Sequence, residues 1–521
     1  MSEYATTVAV ARHEVASPFH PFSDYSPYSS SPSTAVNSRA PSPTKGFEDD
    51  DDDFIPEHDR LKWRLASGFF ACFMGGWADG VTGTVMPYLK AQFNLTSTLS
   101  SSLFAGTTCG FFAGTFIVEA IMKNLGRSRI NRDQGSSFFF PFFKFRRNGA
   151  FDDDVAYSDS QARYLVLLLA SVVHSAYFIM MGSRSGFPVM FMAYVLSAFS
   201  RALLTGKNAF FAIGPKQALG YGLGLASLGS VVSPLVCQSI IATGVPWYHF
   251  YYGSLVLSVF NIMFLAITFK PTSSETFKER QKALNEARRR KNRLLRSGRS
   301  SPVNESGSPA VPTVKLDFET KAQSALRRVF AMPYQWAISF FILLYCGSET
   351  TTQGFMVTYL LSTRHANPKT IGYVTSGFWG GISIGRFIWG YYIASLTFTQ
   401  RKYAVHACIG FAVVLHLSIW LVKFSIENAV ATSLIGVLYG PIFPACLTMA
   451  NDILPAEVHM IAMALISSFA SLGGAIFPLV AGAILDAKGI QTLTYLTVPL
   501  AAAMACFWTL FPSRLPSPRL K

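Results

Sequence analysis

Apolar runs of about 20 residues recur along most of this chain, separated by shorter polar stretches. A helix of that length crosses the hydrocarbon core of a bilayer, because each residue adds about 1.5 Å. The pattern predicts twelve spans, which we number in chain order: 64–89, 98–123, 162–183, 187–208, 217–241 and 248–269, then 334–361, 370–394, 403–423, 428–450, 456–484 and 490–511. The chain is therefore predicted to be an all-α, multi-pass membrane protein.

The composition supports a membrane protein and argues against a soluble one. Half of the residues are hydrophobic and only 14% are charged, whereas soluble domains carry about 25% charged residues. The net charge of +15 would also suit a nucleic-acid-binding protein. However, the basic residues lie in loops beside the spans, which is typical of membrane topology. We expect a lipid bilayer and no nucleic acid as partner.

The basic loops also predict the orientation. Ten Lys or Arg residues lie between Lys278 and Arg299, in the polar linker between the sixth and seventh spans. Cytoplasmic loops carry such an excess of positive charge. With six spans on either side of this linker, both termini are expected in the cytoplasm. The plasma membrane is the expected location.

The predicted organisation has five parts. Residues 1–60 are rich in Ser, Pro and acids and read as a disordered tail, either a phosphorylated regulatory segment or a solvated leader. They precede a six-helix bundle at 61–269, which includes a long loop at 129–161. A basic linker at 270–332, a second six-helix bundle at 333–512 and a short tail at 513–521 follow.

The two halves repeat each other. At an offset of 271 residues, Gly106, Gly110 and Gly114 of span 2 match Gly377, Gly381 and Gly385 of span 8. At an offset of 244, "ASLGSVVSPLV" (226–236) matches "ASLGGAIFPLV" (470–480) at seven of eleven positions. Repeated bundles in parallel order predict pseudo-symmetry, with a substrate site near the midplane between the halves. The spaced glycines are predicted to allow close helix packing.

Four segments carry a family resemblance: "GGWADGVTGTVMPYLK" (75–90), "YCGSETTTQGFMVTYL" (345–360), "GYVTSGFWGGISIGRFIWG" (372–390) and "SLGGAIFPLVAGAILDAKGI" (471–490). Over about 60–512 the chain resembles the major facilitator superfamily, and within it the fungal branch related to fucose–proton symporters. It departs from the family pattern at Met122, where an aspartate is usual, and at Lys207, where an acid or amide is usual. The resemblance implies twelve transmembrane helices in two pseudo-symmetric six-helix bundles.

Two acids lie near the middle of predicted spans, Asp79 in span 1 and Glu349 in span 7, one residue out of register in the repeat. A charge at the bilayer centre costs about 2.5–3.5 kcal/mol, so such residues usually face a wet cavity or the bundle interior. Burial favours the protonated acid. Asp79 and Glu349 are therefore candidates for proton coupling. The alternative is a structural role, as hydrogen-bond partners of broken helix backbone near Gly80, Gly83 and Gly354.

Several polar and aromatic residues are candidates for binding the substrate. Thr351 and Gln353 belong to a polar run that follows Glu349, and hydroxyl and amide groups suit a hydroxyl-rich solute. Asn208 is a further candidate. Trp77 and Trp379 would stack on the apolar face of a sugar, or else pack against helices or lipid.

The gating candidates come from the loop motifs that the resemblance supplies. Arg386 matches the glycine–arginine of the second-half motif and supports a cytoplasmic gate, unless it extends to the lipid headgroups. Arg127 matches the first-half loop motif, and Glu119 is a candidate counter-charge after span 2.

No motif for nucleotide binding, serine hydrolysis or zinc hydrolysis occurs, so no enzyme activity, cofactor or metal site is expected. The sequence favours a monomeric transporter of a small, sugar-like solute that works by alternating access, with protons as the coupling ion. Two alternatives stay open: a nutrient sensor or receptor built on a transporter scaffold, and a lipid transporter.

Overall fold

The computed structural model describes residues 58–129, 155–204, 218–279, 281–282, 284–285, 327–392, 395–455 and 458–513. Five predicted features lie wholly or mainly outside them: the N-terminal tail, the middle of the loop 129–161, Asn208, most of the basic linker and residues 514–521.

Over the residues that the structure describes, the protein is an all-α membrane protein whose helices form two pseudo-symmetric bundles of six spans each. The first six spans are α1–α2 (His58–Gly80 and Thr82–Phe93), α3 (Ser97–Leu125), α4 (Asp159–Gly182), α5 (Phe187–Leu204), α6 (Ala218–Ala242) and α7 (His249–Phe269). The second six are α8 (Pro333–Arg364), α9 (Tyr373–Tyr392), α10 (Phe398–Leu421), α11–α12 (Ser425–Tyr439 and Ile442–Ile453), α13 (His459–Lys488) and a 3₁₀ turn (Ile490–Leu493) with α14 (Thr494–Thr509).

The spans differ in polarity in a way that matters for function. Within the described residues, nine segments are long and apolar enough to cross a membrane. The three spans that do not reach this apolar character are α1–α2, α8 and α9. These three carry Asp79, Glu349 and Arg386. The polar spans are therefore the ones expected to line a hydrated site rather than to face lipid alone.

Two spans are interrupted near their middle. Span 1 breaks at Val81, directly after Gly80, as the glycine-rich sequence suggested. Span 10 breaks between Tyr439 and Ile442, because Pro441 has no backbone N–H to continue the helical hydrogen bonds. The expectation of broken backbone near Gly354 was wrong, since α8 runs through that residue without interruption.

Two short strands close the long loop after span 2. Strand β1 (Arg127–Arg129) pairs antiparallel with β2 (Val155–Tyr157). The backbone N–H of Ser158 also donates to the carbonyl of Gly126 at 2.8 Å. The sequence predicted a long loop here, and the strands bring the two ends of that loop together.

The repeated glycines pack equivalent helices in the two halves. A Cβ atom on Gly110 of α3 would lie 2.0 Å from the carbonyl oxygen of Val195 on α5. A Cβ atom on Gly381 of α9 would lie 2.2 Å from the carbonyl oxygen of Ser433 on α11. The predicted role of these glycines in close helix packing is confirmed, and span 2 packs on span 4 as span 8 packs on span 10.

The two bundles meet through two pseudo-symmetric helix pairs, α3 with α13 and α6 with α9. We call the ends of the spans beside the less basic loops the outer ends. There, Tyr88 and Gln238 of the first bundle both donate to the carbonyl of Pro368, at 3.2 and 2.9 Å, and Thr84 donates to the carbonyl of Gly372 at 3.0 Å. The bundles are therefore in direct contact at their outer ends.

At the opposite end, the start of the linker is bonded to the first bundle. Residues 273–279 are helical. Arg64 of α1 donates two hydrogen bonds to the carboxylate of Glu275, at 2.7 and 2.9 Å, and a third to the carbonyl of Thr268 at 3.2 Å. Burial raises the pKa of Glu275, but the bonds from Arg64 and from Thr272 outweigh it and hold the pKa below its usual value.

Replacing Arg64 is expected to destabilise the first bundle. In Arg64→Gln the Glu275 charge loses its closer charged partner, while Arg60 remains at 3.9 Å, and bonds of this kind contribute about 2 kcal/mol. We expect a melting temperature about 2–5 °C lower in detergent at neutral pH. Because the pKa of Glu275 is lowered, this contribution persists above the usual carboxyl pKa and disappears as the pH falls below it.

Lys123→Gln provides the matched control, since Lys123 pairs with Glu119 on an exposed helix surface and such pairs contribute little. Equal melting temperatures for the two variants at neutral pH would contradict the structural role of Arg64.

Candidate functional site

Asp79 forms an ion pair with Arg201 inside the first bundle. Asp79 lies in the last turn of α1, next to the break in span 1, and Arg201 lies in the last turn of α5. The guanidinium donates directly to the Asp79 carboxylate. The Arg201 side chain is 5% exposed and that of Asp79 is 34% exposed. One member of the pair is thus buried, while the other is accessible.

The ion pair lies near the middle of the membrane. Asp79 is 15 residues along the chain from Arg64, which contacts the linker, and this corresponds to about 22 Å of helix. Phe93, the last residue of α2 at the outer end, is 14 residues beyond Asp79. Asp79 therefore lies about halfway between the two ends of span 1, where an unpaired charge is most costly.

Glu349 lies in the middle of the 32-residue helix α8 and is fully buried. Neither carboxylate oxygen has a hydrogen-bond partner among the described residues at standard geometry. The Tyr345 hydroxyl and the Arg386 guanidinium lie close enough to act on the carboxyl electrostatically. An acid in such surroundings is costly to keep charged.

The polar run after Glu349 lies at the contact between the bundles. Gln353 donates from Nε2 to the backbone carbonyl of Asp79 at 3.4 Å. A Cβ atom on Gly83 would lie 2.3 Å from the carbonyl of Gln353, so α2 and α8 pack closely here. Thr351 is fully buried, and its hydroxyl has no hydrogen-bond partner among the described residues. Gln353 thus connects the Asp79 region to the Glu349 helix.

The two tryptophan candidates are both buried. Trp77 donates to the Ser254 hydroxyl at 2.8 Å and stacks on Phe250 with ring centroids 5.4 Å apart. This geometry favours helix packing over contact with a substrate. Trp379 is 7% exposed, and its indole N–H has no hydrogen-bond partner among the described residues. The two indole donors therefore differ, since the Trp77 donor is occupied.

The gating candidates have different surroundings. Arg386 donates to the Ser227 hydroxyl of α6 at 3.2 Å. Arg386 therefore bridges the two bundles. A side chain extended to the lipid headgroups would not make this contact. Glu119 is exposed and pairs with Lys123 on its own helix. Arg127 begins strand β1, and Asn208 is outside the described residues.

Sequence reasoning gave Arg201 no role, although it is the partner of Asp79. The sequence did contain a signal, because an arginine within a predicted span needs a compensating group. The two residues are 122 positions apart, and no local spacing rule relates spans 1 and 4. The structure brings together Asp79, Arg201 and Gln353 in one group and Glu349, Tyr345 and Arg386 in a neighbouring one.

Sequence comparisons confirm the family resemblance. Residues 338–521 match the model of the Major Facilitator Superfamily. The chain is 22% identical over 447 residues to "Bypass of stop codon protein 6" of Saccharomyces cerevisiae, covering 84% of this chain and 80% of that protein. It is also 32% identical over 166 residues to "Glucose/mannose transporter GlcP" of Bacillus subtilis, covering 32% of this chain and 39% of that one.

Solved structures show the same fold at low sequence identity. A bacterial homologue of the human lysosomal transporter Spinster, in an inward-facing conformation, has a TM-score of 0.59 at 12% identity, covering 87% of this chain and 97% of its own. The nucleoside transporter NupG has a TM-score of 0.58 at 9% identity, covering 87% and 98%. A D-xylose–proton symporter has a TM-score of 0.56 at 9% identity, covering 88% and 98%. The architecture is the major facilitator fold.

Proposed function

We propose that this chain, which has the major facilitator fold, is a secondary transporter that carries a small, uncharged, hydroxyl-rich solute together with protons. The observation that carries the proposal is the paired arrangement of acids at mid-membrane depth. Asp79 in span 1 faces Arg201, and Glu349 in span 7 has Arg386 nearby. Each repeated bundle thus supplies one acid with an arginine neighbour.

The Asp79–Arg201 pair couples a proton to movement of the bundles. Deprotonated Asp79 holds Arg201 through charge, and a proton on Asp79 removes that attraction. Asp79 also accepts a hydrogen bond from Gln353 of the second bundle through its backbone. The ion pair therefore lies next to the contact between α1 and α8. The outer ends of the bundles are in contact in this conformation, and the Asp79 side chain between the two ends of span 1 is partly exposed.

The balance of charges favours an uncharged solute. Two acids and two arginines lie in the candidate site, so their charges cancel when both acids are ionised. A solute with many hydroxyls can satisfy donors and acceptors together. Thr351, Trp379 and the side chain of Gln353 offer such groups. Sugars fit this description, and three of the similar proteins bear sugar or nucleoside names.

An uptake screen in proteoliposomes tests this proposal. Labelled hexoses, pentoses and nucleosides are supplied with and without an imposed pH gradient. We expect one sugar class to accumulate above its external concentration only when the gradient is present, because an uncharged solute gains driving force from the proton alone.

The same vesicles discriminate the alternatives. Binding of a sugar without counterflow would favour the sensor, and movement of labelled lipid without sugar uptake would favour the lipid transporter. Equal accumulation with and without the pH gradient would contradict proton coupling.

A further inference from the structure

We propose that Asp486 and the first turn of α3 form an outer latch, defined as Asp486 with Ser97 and Thr98, which holds the outer ends of the two bundles together. The Asp486 carboxylate on α13 accepts the backbone N–H groups of Ser97 and Thr98, at 2.6 and 2.8 Å. α3 belongs to the first bundle and α13 to the second. This proposal rests on the alternating opening of the proposed function, but not on its solute or its proton.

The electrostatics of the outer latch are favourable. The first N–H groups of a helix have no partner within it, and the helix dipole favours a negative charge at that end. The two bonds to Asp486 satisfy two of these donors, and the Thr96 hydroxyl accepts from Leu99 to satisfy a third. The charged group that faces Asp486 from the first bundle is Lys90, which acts on it electrostatically and donates to the Ser97 hydroxyl at 2.6 Å.

Close packing supports the outer latch one turn earlier on α13. A Cβ atom on Gly482 would lie 2.4 Å from the Ser101 hydroxyl oxygen and 2.6 Å from the Ser97 carbonyl oxygen. Only a glycine allows α13 to approach α3 this closely. Charge and shape therefore both stabilise contact at this pair of helices.

The other pseudo-symmetric contact uses neutral groups. Between α6 and the start of α9, the Gln238 amide donates to the carbonyl of Pro368, and Ser239 and Tyr373 share a hydroxyl hydrogen bond at 3.2 Å. Bonds that involve an ionised group are about twice as strong as neutral ones. The outer latch is thus the stronger of the two contacts, and its loss is expected to favour opening at the outer ends.

Opening can be measured without substrate through a cysteine at the gate. Thr84 is fully buried and bonds to Gly372 of the second bundle, so Thr84→Cys reacts with N-ethylmaleimide only when the outer ends separate. Mass spectrometry of the peptide containing residue 84 distinguishes this site from the seven native cysteines. The purified full chain in detergent is labelled from both sides, so its membrane orientation does not matter.

We expect Asp486→Asn to raise the labelling rate at residue 84 about threefold, because it removes the charge from both bonds and solvent reduces the contribution of an exposed charge. Gly482→Ala should act in the same direction through packing alone. Asp452→Asn is the matched control, since Asp452 pairs with Arg401 within the second bundle and should leave the rate unchanged.

Unchanged labelling in both latch variants, with measurable labelling of the parent, would overturn the outer latch and leave the transport proposal intact. Absence of labelling in every protein, including those exposed to sugar, would contradict opening itself and both proposals with it. Size-exclusion profiles in detergent confirm that the variants are folded.

Discussion

Asp79→Asn is expected to abolish accumulation of the solute against its gradient while exchange of solute across the membrane continues. Asparagine has nearly the shape of aspartate but cannot take up and release a proton. The solute would still bind and the bundles would still move, so labelled solute would equilibrate without exceeding its external concentration. Proteoliposome uptake with a pH gradient measures the first process, and counterflow without a gradient measures the second.

Asp79→Asn alone leaves the Arg201 charge buried beside a neutral residue. The variant therefore changes the stability of the protein as well as its proton coupling. Breaking a buried ion pair costs about 3–5 kcal/mol, although the partial exposure of Asp79 reduces that cost. Arg201→Gln and the double variant Asp79→Asn/Arg201→Gln resolve the difficulty, because the double variant removes both charges together. Asp159→Asn, at an accessible pair with Arg163 on α4, is the control for losing a carboxylate.

The double variant separates the two roles that the sequence left open for Asp79. If the acid carries the proton, the double variant regains thermal stability and exchange but not accumulation. A purely structural ion pair predicts instead that accumulation returns together with stability. Recovery of accumulation to the parental level in the double variant would refute proton coupling through Asp79.

The sequence predicted the fold well because membrane spans leave a long, local signal. An apolar run of about 20 residues specifies a helix without information from elsewhere in the chain. The glycine repeats of spans 2 and 8 then related the two halves, and Gly110 and Gly381 do pack against equivalent helices. Both kinds of evidence depend on residue type and spacing, which a single sequence contains.

The candidate site was predicted less completely because its partners come from distant spans. Asp79 was identified since a charge in a span is unusual, but its bond to Arg201 depends on how spans 1 and 4 pack. The same limit applies to Trp77 and Trp379, which look alike in sequence. Their difference follows from Ser254 and Phe250, which surround Trp77 only in the folded bundle.

The same dependence on packing concealed the outer latch. Asp486 lies at the end of a predicted span, where an exposed acid needs no explanation. Its partners lie in the first turn of α3. One of them, Ser97, is 389 positions away from Asp486 in the chain. The acids at mid-membrane depth, Asp79 and Glu349, were conspicuous in the sequence. Asp486 at the outer ends was not, although Asp79 and Asp486 both contact a neighbouring span.

Glu349→Gln is expected to stabilise the protein and to impair its proton-driven uptake. Glu349 is fully buried without a hydrogen-bond partner at standard geometry among the described residues, so its charged form is costly. The neutral amide removes that cost, and we expect the melting temperature in detergent to rise by about 2–5 °C. Accumulation of solute should fall, because the amide cannot carry the proton that crosses with the solute.

Thr358→Val is the matched control for this second variant. Thr358 lies on the same helix, is 8% exposed and has a hydroxyl without a partner among the described residues, but it is outside the candidate site. We expect it to raise stability slightly and to leave accumulation unchanged. If Glu349→Gln gains stability and loses accumulation, while Thr358→Val keeps accumulation, then Glu349 is retained for function at a cost in stability. A variant that transports normally and melts earlier than the parent would show instead that Glu349 serves the fold.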